Sequence, residues 1–124
     1  MQRTEDIVNK VIEALEDNKA QEIVKIDLRG IENCFCRFFV VCHGTSGTHI
    51  AGLTDAVEEK VKEDLGESPL HCEGLGASRW TVLDYGDVVV HVFDKELRDF
   101  YQLEDFWGDG KMEIINDERL EIND

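Results

Sequence analysis

Apolar residues at Ile7, Val8, Val11, Ile12 and Leu15 recur at three- and four-residue steps, so the spacing predicts an amphipathic helix from Thr4 to Asp17. Thr4 stands where a cap is needed, and Glu5 and Asp6 fall in the first turn, where the helix dipole favours anions. From Glu22 to Leu28, Ile23, Val24, Ile26 and Leu28 stand among polar residues, which predicts a strand with one buried face, ended by the Arg29-Gly30 turn. Phe38 to His43 is apolar on both faces, so that strand is expected to be covered on both sides. The turn Gly44-Thr45-Ser46-Gly47-Thr48 then leads into Ile50, Leu53, Val57, Val61 and Leu65, a second helix capped by Ser46 or Thr48 and ended by Gly66. Beyond Pro69 come a short strand from Leu70 to Glu73, then Trp80 to Tyr85 and Val88 to Phe93, the last two joined in a tight hairpin at Gly86-Asp87. A closing helix follows from Asp94, its cap, with Leu97, Phe100, Tyr101 and Leu103 on one face and Phe106-Trp107 just beyond.

This order predicts a single α/β domain in two or three layers, a small mixed β-sheet flanked by helices. At 124 residues the chain has room for one core. The core is expected to end near Gly108, giving one domain over 1–108. Residues 109–124 hold six acids and two bases with scattered apolar positions and are read as a solvated or loosely attached acidic tail.

Charge narrows the partners. The formal net charge is −15, which argues against direct docking on nucleic acid or an anionic membrane, where Lys and Arg supply the affinity, and suits a basic partner. Hydrophobic residues make up 42 % of the chain, enough to fold despite that charge. The first six residues carry two acids and no apolar run, which fits neither a secretion signal nor a transit peptide, and a cytoplasmic location is expected. The apolar runs Phe38 to Cys42 and Val88 to Phe93 are far below the roughly 18 residues of a membrane span. Cys34, Cys36, Cys42 and Cys72 are then expected as free thiols.

Several constellations could carry chemistry. The Gly44 to Thr48 turn joins a buried strand to a helix N-terminus, where free amides could hold phosphate; it lacks the lysine of a Walker loop and the three-glycine spacing of a dinucleotide fingerprint, and a tight strand-to-helix turn capped by Ser46 or Thr48 is the favoured reading. Nucleotidyl transfer would further need converging acids for magnesium, yet Asp55 stands alone and a turn separates Asp84 from Asp87. A zinc site from Cys34, Cys36, Cys42-His43 and His71-Cys72 lacks the paired two-residue gaps of structural zinc motifs, so no metal and no cofactor is expected. A Cys-His or Ser-His hydrolase could draw on His43, His49, His71 or His91, although His91, inside an apolar run, is expected to be a hydrogen-bonded core ring. The hairpin is the most distinctive segment. Period-two alternation sends Trp80, Val82 and Asp84 to one face and Thr81, Leu83 and Tyr85 to the other, so Trp80 either packs beneath the closing helix or anchors a partner.

At this hairpin the sequence resembles the Iojap-like ribosomal silencing factor family. The blocks that carry the likeness run from Glu22 to Leu28, Phe38 to Ser46, Trp80 to Phe93 and Phe100 to Trp107, and together they span nearly all of 3–108. Two features depart: Arg37 stands where the family usually has aspartate, and the tail after Gly108 has no counterpart in the typical short members. The resemblance implies a nucleotidyltransferase-like fold without catalytic acids, and a binding protein rather than an enzyme. It further implies docking on the large ribosomal subunit through ribosomal protein L fourteen, which blocks subunit joining and represses translation when nutrients run short. Trp80 matches the family's contact tryptophan, and Glu73, Gly74, Asp84, Tyr85 and Asp87 are taken as the rest of the patch. A homodimer is compatible with the apolar Phe106 and Trp107. The alternative is a small nucleotide-binding or nucleotidyltransferase enzyme using the Gly44 to Thr48 turn.

Overall fold

The computed structural model describes residues 2–29, 36–75, 79–101 and 111–116. Its elements run α1 (Gln2–Asp17), β1 (Gln21–Asp27), β2 (Phe38–Gly44), α2 (Gly47–Leu65), β3 (His71–Leu75), β4 (Trp80–Asp84), β5 (Val88–Asp94), α3 (Lys95–Tyr101) and β6 (Lys111–Asn116). The strands form one six-stranded mixed sheet in the order β3-β4-β5-β2-β1-β6. Only β2 and β5 pair in parallel; the other four neighbouring pairs are antiparallel.

Strand alternation divides the apolar residues into two cores. On one face Phe38, Val40, Cys42, Leu83, Val88, Val90 and Val92 pack with Val8, Val11 and Leu15 of α1 and Ile50, Leu53, Val57 and Val61 of α2. On the other, Val24, Ile26, Phe39, Val41, Val89 and Phe93 form a second cluster, against which Trp80, Val82 and Leu97 pack. Every residue of β2 is buried, as its two apolar faces require.

The turn signals hold where local chemistry decides. Ser46 caps α2, its Oγ accepting from the His49 amide, and Gly66 ends the helix at φ 69°, a left-handed position that glycine adopts without strain. Gly86, at φ 91°, opens the two-residue β4–β5 turn, which the Tyr85 amide closes by donating to the Val88 carbonyl. Asp94 caps α3 by accepting from the Leu97 amide.

Two expectations are corrected. Thr4 is no cap: α1 begins before it, and the buried Thr4 hydroxyl donates to Asp87 Oδ2 at 3.0 Å, tying α1 to the β4–β5 turn. Nor is 109–124 simply a loosely attached tail. Residues 111–116 pair antiparallel with the outer edge of β1, Lys25 opposite Glu113 with their side chains 3.5 Å apart, and Ile115 packs on the helix-side core. The physical reason is the open edge of β1, whose unpaired amides and carbonyls accept a strand even of mixed polarity. Leu103, Phe106 and Trp107 lie outside the described residues.

Candidate functional site

Strands β3 and β4 form the free end of the sheet and carry most of the predicted patch. Trp80 faces Leu75 and Phe93 in register, Val82 faces Glu73 and His91, and Asp84 faces His71 and Val89. Opposed residues share a face, so Trp80, Glu73 and Asp84 stand together on the side away from α1 and α2. Tyr85 does not join them. It points to the helix side, half-buried, with its hydroxyl finding no hydrogen-bond partner among the described residues, and burial pushes its pKa up to about 12. Asp87 sits in the turn, where it accepts from Thr4 and lies 3.9 Å from Arg37 Nε, while Gly74 contributes only exposed edge backbone. The predicted patch is therefore a face of three residues, Trp80, Glu73 and Asp84, with Asp87 and Gly74 at its margin and Tyr85 on the opposite face.

Trp80 is half-buried, neither entombed nor free in solvent. Its ring stacks on Phe93 with centroids 4.8 Å apart, and its indole N–H donates to His91 Nδ1 at 3.2 Å. His91 is the expected hydrogen-bonded core ring: it is 7 % exposed, burial pushes its pKa down to about 4, and the ring is neutral at physiological pH.

Three amides in and beside the Gly44 to Thr48 turn are spent within the fold. The Thr45 amide donates to His49 Nδ1 at 2.9 Å, the His49 amide to Ser46 Oγ at 3.1 Å, and the Ile50 amide to the Ser46 carbonyl at 2.9 Å. His49 Nε2 in turn lies 2.9 Å from the Asn18 carbonyl, so the imidazole bridges this turn to the end of α1. A phosphate cradle needs those amides unspent. Beside the turn a cavity of about 450 Å³ opens at the carboxyl ends of β2 and β5, lined by His43, Gly44, Thr45, Arg79, Asp94 and Lys95, but its cations are engaged. Arg79 bonds Asp94 and Glu96, and Lys95 lies 3.7 Å from Asp99.

His43, at the back of that cavity, is buried and accepts from Arg98 Nη1 at 3.1 Å. Burial, reinforced by the Arg98 charge, pushes its pKa down to about 4, so its 3.7 Å approach to Glu22 is a polar contact and not an ion pair at neutral pH. Arg98, absent from the sequence-derived candidates, donates to the Glu22 carbonyl at 2.7 Å, where the β1 bulge holds Glu22 at φ 47°. Its signal was a basic residue in the middle of a short helix, between the apolar Leu97 and the acid Asp99.

The candidate zinc ligands are dispersed. Cys42 and His43 alternate to opposite faces of β2, Cys36 is buried in the second core and Cys72 is exposed on edge strand β3. No cluster of three or more His, Cys, Asp or Glu side chains able to hold a metal occurs among the described residues. Cys34 lies outside them.

Fold and site together define a small α/β domain whose sheet ends in an accessible edge presenting one tryptophan beside two acids. The family described as "ribosomal silencing factor during starvation" matches residues 1–123. A ribosomal silencing factor of Halalkalibacterium halodurans is 35 % identical over 105 residues, covering 85 % of this chain and 88 % of the relative. That of Chromobacterium violaceum is 36 % identical over 107 residues, covering 86 % of each. The chloroplastic protein Iojap of Zea mays is 40 % identical over 75 residues, covering 58 % of this chain and 31 % of its own. A crystal structure of a Chromobacterium violaceum protein superposes with a TM-score of 0.78 at 33 % identity, over 90 % of this chain and 91 % of that one. A Bacillus halodurans structure gives 0.70 at 34 %, over 83 % and 94 %. The chain belongs to the ribosomal silencing factor family. No helix among the described residues is long and apolar enough to cross a membrane.

Proposed function

We propose that this protein is a cytoplasmic translational repressor. It binds the large ribosomal subunit through ribosomal protein L fourteen and blocks subunit joining by occupying the joining face under nutrient limitation. The observation that carries this reading is Trp80, half-buried at the free β3–β4 end of the sheet and flanked by Glu73 and Asp84 on a chain of net charge −15. A protein of that sign is drawn to a basic protein partner and repelled by surrounding nucleic acid, so charge governs encounter and specificity. The indole governs residence, because aromatic anchors dominate interface energies. No turnover is required: two large bodies cannot share one volume.

Co-sedimentation with purified ribosomal subunits tests this. The wild-type chain travels with free large subunits and lowers the yield of joined ribosomes. Trp80→Ala, with an unchanged far-UV spectrum, loses about 2 kcal/mol or more of binding, roughly thirtyfold. Sedimentation with small subunits alone, or no association at low salt, overturns the reading.

A further inference from the structure

A histidine inside a wall of valine and phenylalanine needs a reason. His91 is buried opposite Val41 and Val82 in register, with Phe39 edge-on at 4.9 Å between centroids and Phe93 at 6.1 Å. Its Nε2 is buried and has no hydrogen-bond partner among the described residues. A buried N–H left unmatched is a free-energy cost that leucine or phenylalanine at this position would not incur. What the imidazole supplies and those side chains cannot is an acceptor, and Nδ1 accepts from the indole N–H of Trp80 at 3.2 Å. Because the ring is neutral at physiological pH, the Nδ1 lone pair is available for that bond. The stack on Phe93 fixes the indole plane, and the hydrogen bond fixes its rotation within that plane.

We propose that His91 is a positioning residue for docking: by holding the Trp80 indole N–H, it locks the ring in the orientation that meets the partner and makes that contact apolar rather than hydrogen-bonded. The inference rests on the docking role of Trp80 proposed above. An indole ordered before encounter costs less side-chain entropy on binding than one that must be ordered by the partner. His91 itself touches no partner. It lies under Trp80, and its effect reaches the partner only through the indole.

The test compares wild type with His91→Leu and His91→Asn, each carrying Trp107→Phe so that a single indole N–H signal remains in the nitrogen-15 spectrum. Leucine removes the acceptor, whereas the asparagine carbonyl restores one near the place of Nδ1. In the free protein, His91→Leu is expected to speed hydrogen exchange at the Trp80 indole at least tenfold and to shift its resonance, with His91→Asn close to wild type. Retention on large subunits is expected to weaken about tenfold for His91→Leu and to recover in His91→Asn, a change of one hydrogen bond's order. Equal exchange and equal retention in wild type and His91→Leu overturn the proposal. If wild type itself fails to bind large subunits, the docking reading falls, while indole exchange still decides whether His91 holds the ring. Should His91→Leu fail to fold, His91→Phe carries the same comparison with the ring shape preserved.

Discussion

Acid should unfold this protein through its buried imidazoles before its carboxylates take part. The folded His91 binds a proton only near pH 4, because burial opposes the charge, while an unfolded histidine binds one near 6.5. Between those values the unfolded state holds more protons, so stability falls as the pH is lowered through that window. At pH 5 the two titrations differ by about 2 kcal/mol for this one ring relative to pH 7.5, a large part of a small domain's total. His43 acts in the same direction, its pKa likewise pushed down to about 4 by burial and by Arg98, with part of its cost returned by Glu22 at 3.7 Å. The carboxyls of Glu13, Asp64 and Asp94 are held below their ordinary values, so their contribution is lost only under stronger acid. Urea unfolding at half-unit steps from pH 7.5 to 4.5, followed by far-UV circular dichroism, measures the slope. In His91→Asn, which cannot titrate but keeps an acceptor for Trp80, about 2 kcal/mol of that pH dependence should vanish. An identical slope in wild type and His91→Asn would refute the assignment of a neutral, desolvated His91.

Other perturbations read different parts of the structure. Arg98→Met strips donors from the Glu22 carbonyl and His43 Nδ1 beneath α3 and should cost about 2–3 kcal/mol in urea unfolding, with an unchanged midpoint counting against the bonds. Ser46→Ala removes the α2 cap and should cost about 1 kcal/mol. Gly66→Ala, with open space for its methyl group but a φ of 69°, should cost about 1 kcal/mol through backbone strain alone, read as a lower melting temperature. Lys19 holds φ 63° at the end of α1, where the Ala20 amide donates to the Leu15 carbonyl; Lys19→Gly should therefore stabilise the protein by about 0.5 kcal/mol, and a loss of stability would contradict that geometry.

Much of the fold was legible because local chemistry decides it. Ser46, Gly66, Gly86 and Asp94 terminate elements by their own side chains or backbone freedom, and the periods of α2, β2 and β5 have no rival interpretation. The failures have a different origin. Strand β6 carries Lys111, Glu113 and Asn116, a composition that becomes a strand only because β1 offers an edge to it, and an edge is a property of the sheet and not of the segment. Thr4 has the composition of a cap, but its partner is Asp87, 83 residues away. Arg98 is a surface residue by type and a buried donor by context, since the bulge in β1 turns the Glu22 carbonyl toward it. In the candidate patch, alternation already set Tyr85 opposite Trp80, and grouping them put proximity in sequence above the strand's period.

On the docking role proposed above, the two sides of the sheet divide the work that a steric repressor must do. Such a protein acts for as long as it stays bound, so its effectiveness follows the dissociation rate, and a mobile anchor would shorten residence by adding an ordering cost to every docking event. Against α1 and α2 the sheet buries an aliphatic core that fixes β4 and β5, and the second face uses that rigidity to hold Trp80 on Phe93 and His91. Charge contributes at a different stage: spread over the whole chain at −15, it speeds approach to a basic surface and is screened by salt, whereas an apolar indole contact is not. Raising ionic strength should therefore slow association of wild type and Trp80→Ala alike and leave their ratio of dissociation rates unchanged, which separates the steering role of the acids from the anchoring role of the ring.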